Sequence, residues 1–202
     1  MSSTQNLPVM AALMMGGQSR RMGRDKAELE MGGVPLWRRQ LRVLRESGAA
    51  EVVVSATAER AGKTGDHPLI VDEVEGQGPL RALATVLRRS HHDGVLVLGV
   101  DLPRMTPGFL REITSIGLAR CVAVIPEAAN QLQPLAAYYS RACLPMLDEQ
   151  LLRGDLALHR FISRAVSDGL AIVHPVASAK WRLFTNLNTP EDDAAYRQEG
   201  EC

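Results

Sequence analysis

Val9-Met10-Ala11-Ala12-Leu13-Met14-Met15-Gly16-Gly17-Gln18-Ser19-Arg20-Arg21-Met22-Gly23-Arg24-Asp25-Lys26 is the stretch on which the reading of this chain turns. No polar residue interrupts Val9 to Met15, as expected of a buried strand. Two adjacent glycines follow, which let the backbone turn sharply and approach a ligand with N–H groups pointing at it. Ser19 adds a hydroxyl, and Arg20, Arg21 and Lys26 add positive charge suited to phosphate oxygens. The composition of the loop points to an anion site, above all a polyphosphate. The competing reading, a glycine-rich turn with solvated arginines, stays open for the loop alone. Two familiar phosphate patterns are absent. Gly23 is followed by Arg24-Asp25, and Lys26 by neither Ser nor Thr, so there is no G-x-x-x-x-G-K-[ST]; Gly16, Gly17 and Gly23 do not match G-x-G-x-x-G either.

At 202 residues the chain fits one domain, 1–202, with a sizeable core. Its 46% apolar and 23% charged residues are those of an ordinary globular protein. Basic and acidic residues number 23 each, so nothing global attracts nucleic acid or an anionic membrane, and any anion site must be local. Cys121, Cys143 and Cys202 form no CxxC pair or metal spacing and read as thiols in a reducing compartment. The polar start lacks a basic n-region, and no apolar run nears the ~20 residues of a membrane span. The expected setting is the cytoplasm.

Strand-like and helix-like stretches alternate, which predicts a mostly parallel sheet flanked by helices. Gly32-Gly33 and Pro35 prevent one clean helix after Lys26, leaving a first connection of about 20 residues, a length usually functional or disordered, and its phosphate-type residues favour function. Helices are expected over Leu36 to Ser47, Pro79 to Arg89, Pro107 to Ile116, Arg141 to Leu152 and Asp155 to Val166. Strands are expected over Glu51 to Ser55, Leu69 to Asp72, Gly94 to Val100, Cys121 to Ile125 and Leu170 to Val176. Leu132 to Tyr139, interrupted by Pro134, reads as an edge or bulged strand. A final helix is expected after Thr189 as N-cap and Pro190 at its first position.

In an open α/β sheet, ligands bind beyond the carboxyl ends of the strands. The glycine loop, Ser55, Asp72 and Asp101 all fall at such ends. Asp101 closes a wholly apolar strand, where an ionised carboxylate is costly unless paired. Mg²⁺ bridging to phosphate would pair it, and so would a turn or helix cap. Lys26 is a candidate for neutralising charge on a leaving pyrophosphate, against the alternative of a solvated lysine beside Asp25. Asp72 reads as a ligand or a turn former. His91-His92 fits a solvated helix end better than a metal site. Asn186 and Asn188, two apart, would face one way in an extended segment and offer amides to a polar ring or phosphate, or serve only local turns.

Taken together, Met15 to Lys26, Gly33-Val34-Pro35-Leu36, Asp72, Gly78-Pro79-Leu80, Asp101-Leu102-Pro103, Gln133-Pro134-Leu135 and Asn186-Leu187-Asn188-Thr189-Pro190-Glu191-Asp192 resemble the molybdenum cofactor guanylyltransferase (MobA-type) family of nucleotidyltransferases. The resemblance implies a Rossmann-like, mostly parallel α/β sheet of the nucleotide-diphospho-sugar transferase type. It implies GTP, Mg²⁺ and molybdenum-carrying molybdopterin, joined with release of pyrophosphate. Carried over by position, Lys26 and Asp101 are the catalytic pair, and Asp101 the metal ligand. Met14, Met15, Gly16, Gly17, Ser19, Arg20, Arg21, Lys26, Ser55, Asp72, Gly78, Pro79 and Asp101 are the nucleotide candidates, all in the half that would hold the nucleotide. Asn186 and Asn188 would lie toward the pterin in the other half. Transient contact with molybdoenzyme maturation proteins is a further expectation. The chain departs from the family pattern at Met14-Met15 for Leu-Ala, Ser55 for Asn, and Arg81-Ala82 for Ala-Gly. Two other readings keep the site: a cytidylyl- or sugar-phosphate nucleotidylyltransferase, and a nucleotide-binding maturation factor without turnover.

Overall fold

The computed structural model describes residues 6–15, 29–58, 62, 64, 65, 67–71 and 78–187. The first strand, β1 (Leu7–Met14), is buried on both faces. Val9, Ala11 and Leu13 enter one core cluster, and Met10, Ala12 and Met14 the other. Period-two alternation into two cores explains a run with no polar residue. A small hairpin, β2 (Glu30–Met31) and β3 (Val34–Pro35), turns at Gly32-Gly33 and leads into α1 (Leu36–Glu46). Next come β4 (Ala49–Ala56), β5 (Leu69–Val71), α2 (Gly78–Arg89) and β6 (Gly94–Gly99). The second half supplies α3 (Pro107–Arg120), β7 (Ala123–Ala128), β8 (Gln131–Leu132) and β9 (Ala136–Ser140). A short 3₁₀ turn (Arg141–Cys143) then precedes α4 (Leu144–Leu152), α5 (Leu158–Ser167), β10 (Ala171–Pro175) and a 3₁₀ segment (Ser178–Phe184).

Among the described residues the strands other than the β2–β3 hairpin form an eight-stranded sheet ordered β10-β7-β9-β6-β1-β4-β5, with β8 beside β7. β5, β4, β1 and β6 are parallel, as are β7 and β10, while β9 runs antiparallel between β6 and β7. α1 and α3 cover one face; α2, α4 and α5 cover the other. The mostly parallel sheet flanked by helices is as expected. Among the described residues, no helix is long and apolar enough to cross a membrane.

Three expectations are corrected. Leu132 to Tyr139 is not an edge strand: Pro134 sits in the turn before β9, and all five residues of β9 are buried in the sheet interior. A strand covered on both faces shows no alternation, and the proline nearby suggested an edge. The third helix continues past Ile116 to Arg120, and Cys121, in the left-handed conformation (φ 57°), ends it rather than opening a strand. The 3₁₀ segment Ser178–Phe184 was not anticipated. The expected helix after Thr189 lies outside the described residues.

Tyr138 locks β9 between its neighbours. Its ring is 1% exposed, and burial, with a smaller push from Asp93, raises the phenol to about 12. Cβ atoms added at Gly94 and Gly117 would overlap this ring, so neither position has room for a side chain. Glycine-to-alanine inside a helix ordinarily gains ~1 kcal/mol. In α3, Gly117→Ala should instead lose about 1–3 kcal/mol through overpacking, measured by urea unfolding. A gain would contradict the packing described.

Candidate functional site

The order of the sheet fixes where a ligand would sit. From β1 the chain moves to β4 and β5 on one side, then returns across β1 to β6 on the other. The crevice at such a reversal, beyond the strand carboxyl ends, is where open α/β sheets bind ligands. Here Met14 of β1 pairs with Ser55 of β4 and with Gly99 of β6, so three strand ends form one row. Met14 and Met15 are 5% and 1% exposed and enter opposite core clusters. Their side chains belong to the core, so a ligand here would meet backbone. The Met15 N–H donates to the Ser55 carbonyl at 2.8 Å, and Ser55 is itself fully buried.

Asp101 follows the same row. One carboxylate oxygen lies 2.8 Å from where a Gly99 Cβ would stand, with Leu135 Cβ at 3.4 Å from that point. The absent side chain of Gly99 is therefore the space that the carboxylate occupies. The Gly99 N–H donates to the Leu135 carbonyl at 2.6 Å, and the Leu187 N–H to the Asp101 carbonyl at 2.9 Å. Asp101 keeps partial exposure. Asn186, exposed and next to Leu187, is thus brought beside Asp101 from 85 positions along the chain (186 − 101). Gly78 and Pro79 are exposed in the first turn of α2. That helix carries the chain from the carboxyl end of β5 back to the start of β6, so its N-terminus lies at the row's end of the sheet.

Gly16, Gly17, Ser19, Arg20, Arg21, Lys26, Asp72 and Asn188 lie outside the described residues. The chain leaves the row at Met15, and Leu29 accepts the Leu36 N–H at 2.8 Å. His91 and His92 fall before β6, at the opposite end of the sheet, where the His92 N–H donates to Ser90 Oγ at 3.1 Å. That is a turn after a helix, as expected. Among the described residues no three His, Cys, Asp or Glu side chains cluster to hold a metal. Mg²⁺ needs only one or two carboxylates when substrate oxygens complete its shell. A single partly exposed carboxylate, seated where a Cβ would block it, fits that requirement.

Sequence reasoning missed the support beneath the Asn186 segment. Lys180 Nζ and Glu112 lie 2.8 Å apart, His174 Nε2 is 3.4 Å from the same carboxylate, and Phe109 meets Phe184 edge-on at 5.3 Å. The Lys180 hydrogen bond holds Glu112 below the usual carboxylate range. A depressed acid contributes stability above its ordinary pKa and loses it as pH falls through the folded value. Its two partners, His174 and Lys180, lie 62 and 68 positions away (174 − 112, 180 − 112), which no local pattern announces.

A family model described as the MobA-like NTP transferase domain matches residues 11–169. A protein of Opitutus terrae named probable molybdenum cofactor guanylyltransferase is 35% identical over 90% of this chain and 91% of its own length. The crystal structure of molybdopterin-guanine dinucleotide biosynthesis protein A from Archaeoglobus fulgidus superposes with a TM-score of 0.78 at 24% identity, covering 96% of this chain and all of that one. The 2-C-methyl-D-erythritol 4-phosphate cytidylyltransferase of Thermus thermophilus shares the fold, with a TM-score of 0.69 at 16% identity over 95% of this chain and 98% of that one.

Gly99→Ala should push the Asp101 carboxylate off its seat while leaving the sheet folded. The expected result is a thermal shift with GTP and Mg²⁺ reduced to less than about half of wild type, since bound ligand stabilises by mass action. An unchanged shift would contradict the seat.

Proposed function

This chain belongs to the MobA-like NTP transferase family, and on that premise we propose that it transfers GMP from GTP to molybdenum-carrying molybdopterin. The observation that supports the proposal is the register of Met14 with Gly99, which brings the carboxyl end of β1 and the Asp101 carboxylate to one row of strand ends. A terminal phosphate oxygen of the pterin attacks the α-phosphorus of GTP and forms a new P–O bond. The bond from that phosphorus to the α–β bridging oxygen breaks, and its electron pair leaves with pyrophosphate. Such transfers need in-line positioning and charge neutralisation more than covalent help.

In this reading, backbone at Met14, Met15, Gly16 and Gly17, with Ser19, Arg20 and Arg21, cradles the triphosphate. Lys26 neutralises charge on the leaving pyrophosphate. Asp101 holds Mg²⁺, which when bound offsets phosphate charge. Ser55, Asp72, Gly78 and Pro79 line the nucleotide side. Asn186 and Asn188 face the pterin, which the Leu187–Asp101 hydrogen bond supports for Asn186. The whole of 1–202 acts as one domain in the cytoplasm, with transient contacts to molybdoenzyme maturation proteins.

The test is pyrophosphate release from GTP in the presence of molybdenum-loaded molybdopterin, with CTP as the control. GTP should support turnover and CTP should not; the reverse would move the chain to the cytidylyl branch, and no turnover with either would leave a binding protein. Asp101→Ala should abolish release with an intact fold, and wild-type-like turnover would refute its role. Lys26→Ala should lose at least ~10²-fold, the scale of one strong electrostatic contact. A loss below about tenfold would count against it.

A further inference from the structure

We infer that Gln40 is a positioning residue for Asp101, gripping from α1 the loop that carries the carboxylate. Gln40 falls on the stripe Leu36, Gln40, Leu44, whose other members are fully buried and apolar, and is itself 1% exposed. Its Nε2 donates to the carbonyl of Leu102, 62 positions away. Its Oε1 is buried with no hydrogen-bond partner among the described residues. Burying an amide with half its capacity unmet lowers stability. A leucine or methionine would complete the stripe without that cost.

The Leu102 carbonyl does not depend on Gln40 for a partner, because the Met105 N–H also donates to it at 3.1 Å. What the amide adds is a fixed place for the peptide after Asp101. Stability given up where the local pattern is broken is expected at functional positions. Residues 99 to 102 are held from three distant parts of the chain: Leu135 at Gly99, Leu187 at Asp101 and Gln40 at Leu102. Losing the grip from α1 would let the Asp101–Leu102 peptide turn and carry the carboxylate off its seat over Gly99.

Gln40→Met and Gln40→Leu test this in the full chain. One arm needs no nucleotide: amide hydrogen exchange at Leu187 and Met105 should quicken roughly tenfold, with Val97 in β6 unchanged and Tm equal or higher. The other rests on the guanylyltransferase reading: kcat should fall about tenfold with KM for GTP within about twofold, a loss on the scale of a small misplacement. Unchanged exchange at Leu187 and Met105 overturns the inference. So does a lower Tm with normal kcat, the mark of an ordinary core residue. Were the wild-type protein to release no pyrophosphate, the functional reading would fail while the exchange arm still decided the role of Gln40.

Discussion

Parallel pairing of β1 with β4 on one side and β6 on the other is the constraint on which the site depends. Hydrogen-bond register sets the row Ser55, Met14, Gly99. A slip of one residue would turn every side chain of β1 to the opposite face. Both faces are core: Val9, Ala11 and Leu13 pack on one, Met10, Ala12 and Met14 on the other. The same burial that holds the fold therefore fixes where the loop after β1 departs relative to Asp101.

At the end of that row the energetics change character. An ionised carboxylate closing an apolar strand is unfavourable until it is partnered or wetted. Here it is partly exposed, seated over a glycine, and its backbone is tied to Leu187. Placement by backbone suits phosphoryl-type chemistry, in which the protein positions charge and supplies little covalent help. Gln40 adds a side-chain hold on the next peptide, at some cost to the core.

The sequence disclosed those parts of this arrangement that leave a local trace. An apolar run ending abruptly at Asp101 marked the strand Gly94–Gly99, whereas the adjacent glycines and arginines of the proposed anion loop lie outside the described residues. β9 left no such trace, because Ala136 to Ser140 is buried throughout and Pro134 suggested an edge. Gln40 was invisible because an amide inside an apolar stripe reads as a polar position. The meeting of Asn186 with Asp101 rests on one backbone hydrogen bond and on clamps such as Lys180 to Glu112, none of which has a sequence period.

A crystal structure with GTP and Mg²⁺ bound tests the central claim most directly. The account predicts a metal at about 2.1 Å from the Asp101 carboxylate, the usual Mg²⁺–oxygen distance, also touching phosphate oxygens of a triphosphate that lies along residues 16–26. A triphosphate bound away from the row of strand ends, or Lys26 and Asp101 on opposite sides of the molecule, would contradict it.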